Sequence, residues 1–297
     1  MSVPTARPRR SVLYMPGSNA RALDKGRTLP ADALILDLED AVAPDAKETA
    51  RDQVVAAVQA GGYGPRELAI RVNALDSDWG AADVAAVARS GADAVLLPKV
   101  ESATMVHDLE TRLRMNGAPE DMAIWVMMET PKGILRADDI AGASARLAVL
   151  VMGTSDLVKD LNAAHTSTRL PVLTSLSWCV LAARAHGLAV VDGVHLDLED
   201  LEGFEDACRQ GRELGMDGKT LIHPKTVEIA NRVFAPGDAD VAQARRIIEA
   251  HAEAQARGEG VVVLDGKLIE TLHVADARRV VALAEAIAAR AAQTGGG

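Results

Sequence analysis

Residues 68–101 read LAIRVNALDSDWGAADVAAVARSGADAVLLPKVE. Two short apolar runs, Leu68–Val72 and Ala94–Pro98, flank a stretch of helical periodicity, Gly80–Ser90. Each run is apolar on both faces, as a parallel strand covered on both sides must be. A helix between two such strands is a crossover, so the segment reads as one right-handed βαβ unit. Both runs end in polar residues: Arg71-Val72-Asn73, and Pro98-Lys99-Val100-Glu101.

The same alternation extends in both directions. Before this unit lie the runs Ser11–Met15 and Ala33–Leu38; after it lie Ala123–Met128, Leu147–Met152, Leu188–Val191 and Thr220–Ile222. Helical patterns fall between them at Asp45–Ala60, Ala103–Asn116, Lys132–Ile140, Pro171–His186 and Leu201–Leu214. Eight strand–helix units in 297 residues predict a closed (β/α)8 TIM barrel, which takes ~250 residues. A doubly wound open sheet is the runner-up. It would normally carry a Gly-rich first turn, and PGSN (16–19) after the first run is not GxGxxG.

After Ile222 the pattern changes. Asp238–Arg257 reads as a long amphipathic helix, broken at Glu259–Gly260. Val261–Leu264 reads as a short strand, Asp265–Gly266 as a turn, and Val274–Ala292 as a final Ala-rich helix. We expect a barrel domain over 1–236 and a C-terminal helical extension over 237–297, ending in a disordered GGG.

Composition narrows the function. Hydrophobic residues make up 48% of the chain and aromatics 2%, so aliphatic side chains must fill the core. Few aromatics argue against base-stacking surfaces, and a net charge of −10 argues against general nucleic-acid binding. A local basic cluster (Arg7, Arg9, Arg10, Arg21, Lys25, Arg27) nevertheless offers a place for an anionic ligand. Cys179 and Cys208 form no CxxC and read as reduced thiols. No apolar run is long enough to span a bilayer, and no secretory h-region is visible, so a cytoplasmic location is expected.

Barrel active sites form at the C-terminal ends of the strands. Those ends here carry Asp37-Leu38-Glu39-Asp40, Arg71, Lys99, Glu129, Asp156, Asp192 and His223. Glu129 and Asp156 end adjacent strands, and two neighbouring carboxylates repel unless they share a cation or a proton. Oxygen ligands without Cys or His favour Mg²⁺, with Mn²⁺ as an alternative. Arg71 after an apolar run needs an anion: either Asp37 or Glu39 as a structural partner, or a substrate carboxylate or enolate oxygen. His107, His186 and His251 lie in helical patterns and read as surface residues.

The stretches RSVLYMPGSN (10–19), LDLEDAV (36–42), RVN (71–73), LLPKVES (96–102), MMETPKG (127–133), MGTSDL (152–157), Val191–Val194 and GKTLIHP (218–224) share one further property. Together they resemble the citrate lyase β-subunit-like branch of the malyl-CoA lyase and HpcH/HpaI aldolase superfamily, over nearly the whole chain. The resemblance implies a barrel whose extension reaches a neighbouring subunit in a homotrimer or hexamer. It implies Mg²⁺ on Glu129 and Asp156, substrate oxygens on Arg71, and coenzyme A against Tyr14, Arg21 and Lys25, with His223 as a further substrate contact. Arg71, Glu39 and Glu270 are the candidate catalytic groups. The implied reaction is on a 3-hydroxyacyl-CoA of the malyl-CoA type. It is either thioester hydrolysis or cleavage and formation of the Cα–Cβ bond. In lyases of the family the base is an Asp on the extension, whereas residues 266–273 here read GKLIETLH, with Glu270 at that position. Glu is one methylene longer, and members with Glu there and a VDGV stretch include a malyl-CoA thioesterase. A coenzyme-A-independent class II aldolase acting on a 4-hydroxy-2-keto acid is the alternative.

Overall fold

The computed structural model describes residues 7–258 and 261–294. The expected break at residues 259–260 and the GGG at 295–297 lie outside the described residues. The chain divides into two compact units: a larger one over Arg9–Phe234, and a smaller one that takes residues 7–8 and the chain from Ala235 onward.

The larger unit is a closed barrel of eight parallel strands in chain order. They are β1 (Ser11–Pro16), β2 (Ala33–Asp37), β3 (Glu67–Arg71), β4 (Ala94–Leu97), β5 (Ala123–Met128), β6 (Leu147–Met152), β7 (Ala189–Asp192) and β8 (Gly218–Leu221). β8 returns to β1, with Ser11 opposite Lys219, and this pairing closes the cylinder. Every expected apolar run is a strand, shifted at its ends by at most two residues.

The helices around it are α1 (Ala20–Lys25), α2 (Lys47–Ala60), α3 (Gly80–Val87), α4 (Ala103–Met115) and α5 (Pro131–Leu135). They continue with α6 (Ala137–Ala141), α7 (Thr154–Asp160), α8 (Leu173–Ala185), α9 (Leu201–Leu214) and α10 (Val227–Phe234). The single helix expected at Lys132–Ile140 is two short helices, because Arg136 leaves the helical region at φ −115°, ψ 19°. α1, α7 and α10 have six, seven and eight residues. Two turns of helix are too short to establish a periodicity, so the sequence did not reveal them.

Strand residues alternate between two cores. Val12, Ile35, Ala69, Leu96, Trp125, Val149 and Val191 fill the barrel, where small Ala33 and Ala94 share the space with the fully buried Trp125. Leu13, Leu34, Leu36, Ile70, Val95 and Leu97 pack outward under the helices. The same period of two carries Asp37, Arg71 and Glu129 to the inner side at the C-terminal rim.

The opposite rim is a floor of ion pairs. Arg9 grips Glu67 through two hydrogen bonds of 2.7 and 2.8 Å. Arg10 grips Asp32 through bonds of 2.8 and 2.9 Å. These arginines precede β1 and lie at the far end of the barrel from the active-site mouth. Arg27 covers the ring of Tyr63 at 5.0 Å. The N-terminal basic cluster read from the sequence is therefore not one patch.

The smaller unit contains α11 (Asp238–Ala256), β9 (Val262–Leu264), β10 (Lys267–Ile269) and α12 (Thr271–Thr294). β9 and β10 form an antiparallel hairpin. Its turn, Asp265-Gly266, has both residues at positive φ (51° and 76°), as a type I′ turn requires. β10 was not expected. α12 begins at Thr271, three residues before the expected start. His251 is buried at 5% exposure, not on the surface as its helical position suggested.

Candidate active site

Arg71 is the centre of the mouth. It is 6% exposed, and each of its nitrogens meets a carboxylate. Nε and Nη2 donate to the two oxygens of Asp37, each at 2.7 Å. Nη1 lies 2.8 Å from Glu39 Oε2 and 3.3 Å from Asp40 Oδ2. The Tyr14 ring sits 5.0 Å from the guanidinium carbon, and its hydroxyl points to Met127 Sδ at 3.4 Å. The two-point grip of Asp37 and the ring of Tyr14 together fix the plane of the guanidinium. Only the Nη1 side faces partners that can exchange: Glu39 Oε2 makes the ion pair but has no aligned hydrogen bond.

Glu129 stands at the end of β5 with 3% exposure. Its Oε1 accepts from the main-chain N–H of Lys99 at 2.8 Å. Burial pushes its carboxyl up to about 7, and the N–H of Lys99 opposes the shift. Its position depends on Gly153 at the end of β6, where a Cβ would come within 2.4 Å of both Cβ and Oε2 of Glu129. Asp156 lies in the first turn of α7 and is partly exposed. Lys99 bridges the set: its Nζ is 3.3 Å from Glu39 Oε1 and 3.8 Å from Asp156 Oδ2. Lys99 itself has a left-handed backbone, φ 51°.

These residues suit a hard divalent cation. The donors are all carboxylate oxygens, Glu129 is desolvated, and an ammonium already lies among them. Among the described residues no group of three or more His, Cys, Asp and Glu forms a closed metal cage. Mg²⁺ needs none, since it takes one or two carboxylates and fills its shell with waters and substrate oxygens.

Tyr14, Glu39, Arg71, Glu129 and Asp156 thus lie together at the mouth, with Tyr14 beside Arg71 and apart from the exposed residues it was expected to join. Arg21 and Lys25 are exposed on α1, and His223 is exposed after β8, its Nδ1 accepting from the N–H of Lys225 at 3.1 Å. Glu270 precedes α12 in the smaller unit, exposed, its N–H donating to His273 Nδ1 at 3.0 Å. A cavity of about 340 Å³ opens beside Glu39 and Asp40, walled by Lys47, Asn73, Ser77 and Trp79. Lys99 was visible as a strand-end residue, but nothing in its spacing announced that its main chain holds Glu129.

Asp192 takes no part in the mouth. On β7 it shares the outward face with Val190, and it is fully buried against α9. Its Oδ2 accepts from Lys219 at 2.8 Å and from Arg169 at 2.6 Å. Burial would raise its carboxyl, but Lys219 and Arg169 outweigh burial and hold it below the usual range. Strand-end polarity alone could not separate this structural carboxylate from the functional ones; the parity of Asp192 with Val190 could have.

The model of the HpcH/HpaI aldolase/citrate lyase family matches residues 10–224. A (3S)-malyl-CoA thioesterase of Cereibacter sphaeroides is 50% identical over 284 residues, covering 96% of this chain and 97% of that protein. The citrate lyase subunit beta of Escherichia coli (strain K12) is 39% identical over 284 residues, 94% of each chain. Among solved structures, the protein CitE from Mycobacterium tuberculosis, in complex with magnesium, acetoacetate and coenzyme A, superposes with a TM-score of 0.72 at 27% identity. That match covers 95% of this chain and 100% of that one.

Proposed function

The chain belongs to the HpcH/HpaI aldolase/citrate lyase family, and from that membership we propose a Mg²⁺-dependent hydrolase of a 3-hydroxyacyl-CoA thioester of the (3S)-malyl-CoA type. It is an enzyme of this family. The observation that carries the acyl-CoA reading is the mouth itself. There a guanidinium with one exchangeable edge faces a desolvated carboxylate, with Asp156 joined to both through Glu39 and Lys99. The resemblance over the full length to a malyl-CoA thioesterase supports hydrolysis.

Glu129 and Asp156 would hold Mg²⁺, which when bound polarises the thioester carbonyl and screens the charge that develops on its oxygen. Arg71 offers Nη1 to a substrate oxygen in place of Glu39 and Asp40, and Asp37 keeps the plane of the guanidinium set while this exchange occurs. Glu39, whose carboxyl burial raises, is the partner that Arg71 Nη1 leaves when it turns to the substrate. Glu270 positions a water and accepts its proton as the oxygen adds to the thioester carbon. The C–S bond then breaks, and the leaving coenzyme A thiolate takes the proton that Glu270 accepted from the water. In this reading Arg21 and Lys25 would meet the phosphates of coenzyme A, with Tyr14 at the inner end of its arm and His223 across the rim. We further propose a homotrimer or hexamer in which the 237–297 extension serves a neighbouring subunit. Light scattering of the full chain tests this, and a monomer at working concentration overturns it.

The 39% identity to citrate lyase subunit beta favours a second reading, Cα–Cβ cleavage. Product analysis on malyl-CoA with Mg²⁺ separates the two. Free coenzyme A plus malate means hydrolysis; acetyl-CoA plus glyoxylate means cleavage. No turnover of any 3-hydroxyacyl-CoA would sink both, and absence of coenzyme A binding in calorimetry would return the keto-acid aldolase reading.

A further inference from the structure

We propose that Lys99 is the resident counter-ion of the mouth carboxylates, and that its ammonium yields its place when Mg²⁺ binds. The inference rests on the reading that Glu129 and Asp156 hold the metal.

Three contacts carry it. The main-chain N–H of Lys99 holds Glu129 at 2.8 Å. The ammonium of the same residue lies 3.3 Å from Glu39 and 3.8 Å from Asp156. One residue therefore touches both expected metal ligands, one through its backbone and one through its side chain. These two attachments have different consequences. The backbone contact is compatible with a bound cation, because it uses only one oxygen of Glu129. The ammonium is not, because it occupies the field of Asp156 with a positive charge of its own.

The local backbone supports a built position. Lys99 takes a left-handed conformation at φ 51°, uncommon for a residue that is not Gly, Asn or Asp. Such a conformation persists where its surroundings hold it, and here the hydrogen bond to Glu129 does so. The side chain, in contrast, is 47% exposed, so the ammonium has open solvent to move into. A fixed main chain and a free side chain are what an exchangeable counter-ion needs.

The electrostatics give the size of the effect. Opposite unit charges about 4 Å apart in water attract by roughly a factor of five in an equilibrium constant, and the ammonium must give up that attraction as Mg²⁺ enters. Salt screening reduces it. Removing the ammonium should therefore tighten Mg²⁺ binding by about twofold to fivefold.

The test uses the full-length protein. Mg²⁺ affinity is measured by calorimetry, without substrate, for wild type, Lys99→Met and Lys99→Arg. The Met variant is expected to bind Mg²⁺ within that range more tightly, and the Arg variant as wild type does. A Met variant that folds and binds Mg²⁺ no more tightly than wild type overturns the proposal. A second readout needs no variant. Amine-selective labelling of wild type, mapped by peptide mass spectrometry, should rise at Lys99 when Mg²⁺ is added, and an unchanged or lower yield overturns the proposal. Failure of wild type to bind Mg²⁺ at all is a separate result, which removes the metal reading and this inference with it.

Discussion

Gly153 shows how much one absent methyl group can decide. A Cβ there would press on Glu129 at 2.4 Å, so Gly153→Ala should displace that carboxylate while leaving the outer core untouched. A displacement near 1 Å can cost on the order of 100-fold in rate. We therefore expect kcat to fall by about that factor, with a stability loss of about 1–3 kcal/mol from the crowding; a variant of normal kcat would show that Glu129 need not be so placed. Glu129 also makes a pH prediction. Its carboxyl is raised from an ordinary 4.5 to about 7, so between those values the folded protein holds a proton that the unfolded chain has released. The contribution of this group to stability is fully present below the lower value and is lost as pH rises through the upper one. In metal-free protein, wild type should lose stability relative to Glu129→Gln between pH 5 and 8, and Mg²⁺ should restore it. Parallel pH profiles of the two proteins would refute this. Glu129, Asp156, Arg71 and Glu39 could be picked out in the sequence because charge at the end of an apolar run is costly without a partner. Gly153 and the main chain of Lys99 could not, because their roles are contacts between strands and have no signature within one.

The strands could be read almost to the residue, because burial on both faces leaves an unbroken apolar run. Short helices could not, and the side of a strand on which a terminal charge falls follows only from its parity with the residues before it. Asp192 is the instructive case, since its register with Val190 turns it into the helix layer, where Lys219 and Arg169 compensate it. Removing one partner of a buried ion pair typically costs about 3–5 kcal/mol. Asp192→Asn should therefore destabilise the barrel by about 3 kcal/mol in urea titration, since two cations remain buried without a counter-charge; a loss below about 1 kcal/mol would contradict the pairing. The hairpin of β9 and β10 leads straight into α12, and Glu270 stands at that junction. Glu270→Ala should leave coenzyme A affinity intact and lower kcat, and an unchanged kcat would remove Glu270 from the mechanism.

At the scale of the molecule, the larger compact unit runs from Arg9 to Phe234. Among the described residues no helix is long and apolar enough to cross a membrane. The reaction was less legible than the fold, because hydrolysis and carbon–carbon cleavage ask for the same cation and the same guanidinium and differ in where one proton acceptor sits. The closure of the barrel has a consequence for its making. Ser11 pairs with Lys219, so the first strand to leave the ribosome is among the last to find its second neighbour. At roughly 5–20 residues per second that interval is on the order of ten to forty seconds. Until β8 is made, the N–H and C=O groups of β1 that pair with it lack that partner. Translation speed and chaperone supply, which act only on the nascent chain, thereby become determinants of the yield of a protein whose finished form has no barrel edge to protect.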